Sequence, residues 1–153
     1  MRKKLWLYVG SFSPMHTGHL NITDKIKRVA GEGNLLIGIG CNPAKPATDI
    51  EQRAKELAIK LNCEVIAYKC FLHELILQKE AEGYDVILAR GLRNGDDLAY
   101  EENQIKFILE FLPADYHLNV VFFMSDEKYK HVSSSAVRQL ESFREGSAKE
   151  YIV

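Results

Sequence analysis

The stretch GSFSPMHTGHL, Gly10 to Leu20, holds two glycines, a proline and two histidines, His16 and His19, three positions apart. It follows the apolar run LWLYV and leads into helical spacing. Gly10 and Gly18 permit backbone geometries that other residues resist and let a ligand approach the main chain. His19 falls at the start of the helix, where free N–H groups favour an anion and the ring can donate to a phosphate oxygen. His16, in the loop just before, is placed to do the same. Two other readings fit these residues. One is a plain glycine turn with surface histidines. The other is metal ligation, for which two histidines without a carboxylate or cysteine nearby are a thin donor set.

Further cationic and hydroxyl clusters lie along the chain. RGLRNGDD, Arg90–Asp97, begins with an arginine at the end of an apolar run. A buried arginine is costly unless paired, and its planar fork suits phosphate. For Arg90 the residues favour a ligand. Arg93 is balanced between a ligand and an ion pair with Asp96, Asp97 or Glu101. Lys45 sits between Pro43 and Pro46 after another apolar run, which lifts it above an ordinary solvated lysine. HVSSSAVRQL places three hydroxyls before a helix. One serine suffices as a cap, so the surplus can line a phosphate site, with Arg138 one turn in and able to face it. Phe71, Leu72 and Leu75 read as core. Tyr100 and Tyr129 read as half-buried aromatics able to stack on a nucleobase.

This inventory is rich in donors and poor in bases. The first loop has no carboxylate pair, no serine has an evident histidine and aspartate partner, and no GxxxxGK[ST] loop is present. Such a site suits phosphoryl or nucleotidyl transfer, where positioning and charge stabilisation dominate. An attacking phosphate monoester is already largely ionised at neutral pH, with a second pKa of about 6, and needs no general base.

The elements that must position these residues follow from periodicity. Leu5–Val9, Leu35–Gly40, Glu64–Tyr68, Val86–Arg90 and Leu118–Met124 are mostly continuous apolar runs, as strands buried on both faces require. Ile50–Leu61, Leu72–Glu82, Asp97–Leu112 and Ala136–Arg144 have helical spacing. In Asp97–Leu112 the apolar face is expected through Leu98, Ile105, Leu109 and Leu112, with Glu101 elsewhere. The alternation predicts an α/β fold: one Rossmann-like doubly wound domain over residues 1–153, with a five-stranded parallel sheet and helices on both faces. Ligands of such sheets bind beyond the carboxyl ends of the strands, which is where the histidine, lysine, arginine and serine loops fall. The 153 residues carry a net charge of −1, so no global field recommends nucleic acid or membrane as a partner. No apolar run is long enough to span a bilayer, and the basic N-terminus lacks the apolar length and cleavage site of a signal peptide. Cys41, Cys63 and Cys70 form no CxxC pair. A reducing, cytoplasmic location is expected.

GSFSPMHTGHL resembles the signature loop of the HxGH nucleotidyltransferases, with His16–His19 as the motif. Within that superfamily RGLRNGDDLAYE, HVSSSAVR and NPAKP resemble the phosphopantetheine adenylyltransferases, in the same order over nearly the whole chain. The resemblance implies adenylyl transfer from ATP to 4′-phosphopantetheine, with Mg²⁺. It implies a catalytic set of His19, Lys45 and Arg90, and a pantetheine side formed by Ser11, Lys45, Leu72 and Arg90. It implies an ATP site drawing on Ser11, Phe12, His16, His19, Gly91, Leu92, Arg93 and Glu101, closed over by Tyr129, Lys130, His131, Val132, Ser133, Ser134 and Ser135. A homo-oligomer, a hexamer by resemblance, is implied too, although the family continues into a further helix where this sequence stops at EYIV. Ser11 stands where the family usually has threonine, and Ser13 where it often has aspartate. His16 completes an HxGH motif shared with the cytidylyl- and nicotinamide mononucleotide adenylyltransferases, the sibling alternatives. A nucleotide-binding module without turnover is the alternative of a different class.

Overall fold

The computed structural model describes residues 2–41 and 49–153. Five strands alternate with helices: β1 (Lys3–Gly10), α1 (Thr17–Ala30), β2 (Leu35–Gly40), α2 (Ile50–Leu61), β3 (Glu64–Tyr68), α3 (Leu72–Ala81), β4 (Tyr84–Leu92), α4 (Gly95–Phe111), β5 (Asn119–Met124) and α5 (Ser134–Phe143). Short 3₁₀ turns at Glu127–Tyr129 and Lys149–Tyr151 flank α5. The four strand pairings of the sheet are parallel, in the order β3-β2-β1-β4-β5. This is the doubly wound α/β sheet expected from the apolar runs.

Strand side chains alternate between two cores. Trp6, Tyr8, Ile37, Ile39, Ile87 and Ala89 pack on one face with Ile22 and Ile26 of α1 and Ala54, Leu57 and Leu61 of α2. Leu5, Leu7, Val9, Leu36, Val86 and Leu88 pack on the other with Leu75 and Ile76 of α3 and Leu112. Burial on both faces is why the strands read as continuous apolar runs rather than alternating ones.

Two strands exceed their apolar cores. β1 and β4 extend outward to Lys3 and Gly10, and to Tyr84 and Leu92, because ladder hydrogen bonds continue past the hydrophobic residues. The stripe of α4 also differs from expectation. It runs through Leu98, Glu101, Ile105 and Ile108 to Leu112, while Leu109 is exposed. Glu101 is the buried residue of the helix, at 8% exposure, because its carboxylate is paired beneath the helix.

The topology reverses at β1, whose neighbours are β2 and β4. The chain leaves β1 for β2 on one side and returns to β4 on the other. A crevice at such a switch point is the expected ligand site. Gly91 lets α1 approach β4 there: a Cβ on Gly91 would lie 2.9 Å from Cγ1 of Ile22. Gly91→Ala is therefore expected to overpack this contact and lower the unfolding free energy by about 1–3 kcal/mol, read from the urea midpoint.

Candidate active site

A cavity of about 350 Å³ opens at the carboxyl ends of β1 and β4. Tyr8–Phe12, His16, Gly18, His19 and Ile22 line one side, and Arg90, Gly91, Arg93, Asp97, Tyr100 and Glu101 line another. Ser125, Tyr129 and Val132–Ser135 close it.

The two histidines are built into the start of α1. The His16 ring caps the helix: its Nδ1 accepts from the Gly18 backbone N–H at 3.0 Å. His19 Nδ1 in turn accepts from the His16 backbone N–H at 3.1 Å. Imidazoles thus replace the hydroxyl and carboxylate of an ordinary capping box. The rings stack at 3.7 Å between centroids, and Phe12 meets His19 edge-on at 4.9 Å. Because each Nδ1 accepts, each neutral ring carries its proton on Nε2. The first turn of α1 has no acidic residue, while Lys27 and Arg28 occupy its last turn. The positive end of the helix dipole is left for an external anion. His16 is therefore more than the loop donor expected from its type, since its acceptor nitrogen is committed to the backbone.

Both arginines make ion pairs within the chain while lining the cavity. Arg90, for which the residues favour a ligand, forms a two-pronged pair with Glu101, Nε to Oε2 at 2.7 Å and Nη2 to Oε1 at 2.9 Å. Nη1 adds a bond to the Val9 carbonyl at 3.2 Å. The physical reason is desolvation: a buried guanidinium needs a counter-charge, and Glu101 on the inner stripe of α4 supplies it. These contacts use three of the five guanidinium N–H groups, and the side chain still lines the cavity. Arg93 makes the ion pair that sequence held in balance. It bonds Asp97 through Nε at 3.0 Å, Nη2 at 3.1 Å and its backbone N–H at 2.8 Å. The bond from Arg93 holds the Asp97 carboxyl below the usual carboxylate range. Tyr8, wholly buried, has its hydroxyl pushed well up by desolvation and remains neutral.

The serines divide their work. Ser133 caps α5, accepting from the Ala136 N–H at 3.0 Å. Ser134 Oγ donates to the Pro14 carbonyl at 2.9 Å, and Ser135 Oγ accepts from Arg138 at 3.4 Å. Ser134 thus ties α5 to the first loop, while Ser135 bonds within its own helix. Arg138 does not line the cavity; it donates to the Ser13 carbonyl from outside.

Four expected site residues fall outside the cavity lining. Leu72 packs on the core beneath β1. Leu92 is buried, with its carbonyl accepting from the Ser125 N–H at 2.8 Å. Lys130 pairs with Glu127 at 3.0 Å, and the His131 ring turns edge-on to Tyr151, 6.2 Å away. Lys45 lies outside the described residues. Of the lining residues that sequence reasoning did not single out, Tyr8 carries no signal, and Ser125 carries only its position just after the last apolar run. Asp97 reads from sequence only as an ion-pair partner, and Tyr100 as an aromatic able to stack on a nucleobase. For Glu101 paired with Arg90 the signal was present: a glutamate spaced three from Leu98 and four from Ile105 sits on the apolar stripe.

His16 makes a pH prediction. Burial first, and the Arg93 charge second, hold its pKa down at about 4, from an ordinary 6.5. Between those values the unfolded ring binds a proton that the folded one does not. Stability is therefore full above pH 6.5 and falls as the pH drops toward 4. His16→Asn keeps an acceptor for the Gly18 N–H, and urea midpoints measured against pH should show a shallower acid decline in this variant.

Comparison with known proteins agrees with this geometry. The model of the cytidylyltransferase-like family matches residues 7–140. A phosphopantetheine adenylyltransferase of Streptococcus pneumoniae is 34% identical over 148 residues, spanning 94% of this chain and 86% of the relative. One from Streptococcus sanguinis is 32% identical over 153 residues, spanning 97% and 88%. The solved nicotinic acid mononucleotide adenylyltransferase of Plasmodium falciparum shares the fold, with a TM-score of 0.63 at 18% identity over 98% of this chain and 90% of that one. The chain belongs to the cytidylyltransferase-like family and, within it, to the phosphopantetheine adenylyltransferases.

Proposed function

We propose that the cavity transfers the adenylyl group of ATP to 4′-phosphopantetheine, giving dephospho-coenzyme A and pyrophosphate. One observation carries the mechanism. Both carboxylates lining the cavity, Asp97 and Glu101, are held in arginine forks, so the site offers donors and no available carboxylate base. An attacking phosphate monoester needs none. Its oxygen bonds to the α-phosphorus, the bond to the bridging oxygen breaks, and pyrophosphate leaves with that oxygen; no proton is transferred.

His19 Nε2–H stabilises the charge developing on the α-phosphate, at the open end of the α1 dipole. Arg90 and Arg93 add positive charge through N–H groups not spent on their partners. Tyr129 and Val132–Ser135 border the nucleotide. Ser11 and Lys45 hold the acceptor phosphate. Leu72, by resemblance, borders the pantetheine arm. The described residues contain no group of three or more His, Cys, Asp or Glu side chains placed to hold a metal. With both cavity carboxylates engaged, they do not make a resident Mg²⁺ site, and magnesium enters our reading as the companion of the triphosphate. The three cysteines are thiols, which suits a reducing, cytoplasmic setting. No helix among the described residues is long and apolar enough to cross a membrane.

The test is a substrate panel with pyrophosphate release as readout. ATP with 4′-phosphopantetheine should turn over, and nicotinamide mononucleotide or CTP with a phosphorylated alcohol should not; the reverse pattern overturns the assignment. His19→Ala should retain ATP binding and lose at least ~100-fold in kcat, as removal of one transition-state donor does.

The same reading includes a homo-oligomer. Phe107, Leu109 and Phe111 on α4 are exposed, and Phe71, 71% exposed, stacks toward Phe111 at 6.5 Å. An apolar patch of this kind marks an interaction surface. Light scattering should give a multiple of the 17.4 kDa chain mass, with Phe107→Glu shifting it toward the monomer. A monomeric parent protein at micromolar concentration would refute this part.

A further inference from the structure

The loop joining β1 to α1 is gripped from outside the cavity. Its carbonyls from Ser11 to Met15 each accept a hydrogen bond from a distant part of the chain. Arg53 of α2 donates through Nη1 to the Ser11 carbonyl at 3.2 Å and to the Phe12 carbonyl. Arg138 of α5 takes the Ser13 carbonyl, Ser134 takes that of Pro14, and the Val153 N–H takes that of Met15 at 3.1 Å. Arg53, Arg138 and Val153 do not line the cavity.

Arg53 acts where the loop is most strained. Phe12 has a φ of +43°, a left-handed conformation that costs a bulky residue free energy and persists only when its surroundings hold it. Its ring is buried between two others, 5.3 Å from Tyr8 and 4.9 Å from His19. Gly10 makes room for it, since a Cβ there would lie 3.1 Å from the ring. The chain of contacts is continuous. The Arg53 guanidinium fixes two successive carbonyls, these fix the Phe12 backbone, and the Phe12 ring abuts the His19 imidazole. That imidazole also stacks on His16.

We infer that Arg53 is a positioning residue for the reaction: from outside the cavity it locks Phe12 in the left-handed conformation that sets the His19 ring against the α-phosphate. Both bonds come from Nη1, whose two N–H groups are held at a fixed angle in the guanidinium plane, a geometry that the freely rotating ammonium of lysine does not fix. Arg53 touches neither nucleotide nor acceptor in this scheme. With ATP as the varied substrate, the effect should therefore fall on kcat rather than on KM.

The inference rests on the adenylyl-transfer reading, so the experiment has one arm that does not. In Arg53→Ala, kcat should fall at least ~10-fold with KM for ATP changed less than ~3-fold, as misplacement of a catalytic group does. Arg53→Lys should be intermediate. Millimolar guanidinium, far below denaturing concentration, should restore part of the kcat of Arg53→Ala, and equal ammonium should not. The independent arm is the side-chain ¹⁵N spectrum of His19, which reports the ring's setting whether or not the cavity catalyses. Its signals should shift in Arg53→Ala and move back with guanidinium. Unchanged kcat and unchanged His19 signals would overturn the inference. So would a loss of activity matched by loss of folded protein, with the folded fraction fully active and its His19 signals unmoved. If the parent turned over no substrate while the His19 shift and rescue were seen, the functional reading would fail and the positioning contact would stand.

Discussion

An anion cannot be held against backbone carbonyls, so a loop that offers its N–H groups to phosphate must have its oxygens satisfied elsewhere. In the segment Ser11–Met15 the carbonyls are taken up by five tertiary donor contacts, from α2, from Ser134 and Arg138 of α5, and from Val153. The rest of the architecture serves that arrangement. The parallel order β3-β2-β1-β4-β5 brings α2 and α5 to the two flanks of the β1–α1 loop. The antiparallel bridge between His16 and Ile152 returns the final residues to the same place. The loop is held in shape by donors 41 to 125 residues away in the chain and by the Val153 N–H.

Charge in the cavity follows the same logic of satisfying groups in advance. Arg90 and Arg93 are held by Glu101 and Asp97 in two-pronged pairs. Each pair leaves positive N–H groups over while removing the carboxylate as a base and as a repulsive neighbour to phosphate. The α1 N-terminus adds its dipole without an acidic side chain to quench it. His16 remains neutral at physiological pH because it is buried, so its ring is a dependable acceptor for the helix and a flat surface for His19. Preorganisation of this kind places the donors before the substrate arrives.

Much of this was legible in the sequence. The five apolar runs stand in the observed strands, and Ile50–Leu61 is a helix with the expected bounds, because a strand buried on both faces and an amphipathic helix each write their environment into residue type. Strand ends were less legible: Lys3, Lys4 and Tyr84 belong to ladders whose hydrogen bonds are blind to side-chain polarity. The candidate residues Ser11, His16, His19, Arg90, Arg93 and Ser133–Ser135 come together because they stand in the last residues of β4, just beyond strand ends or at helix starts on the carboxyl side of the sheet. Arg53 was invisible: on paper it is one charge among the polar residues of α2, and only the fold brings its guanidinium under Phe12.

Sequence by itself determined the fold class, the clustering of donors beyond the strands, and the family. These depend on local periodicity and on short contiguous motifs, which require no knowledge of distant contacts. Tertiary structure alone decided who pairs with whom. It gave Arg90 to Glu101, turned Ser134 and Arg138 to the loop's outer carbonyls, and made His16 a cap as well as part of the HxGH motif. The reason is that hydrogen bonding and desolvation are settled between groups far apart in the chain. A residue's type announces what it can donate or accept; only the packed fold fixes which partner lies within three ångströms of it.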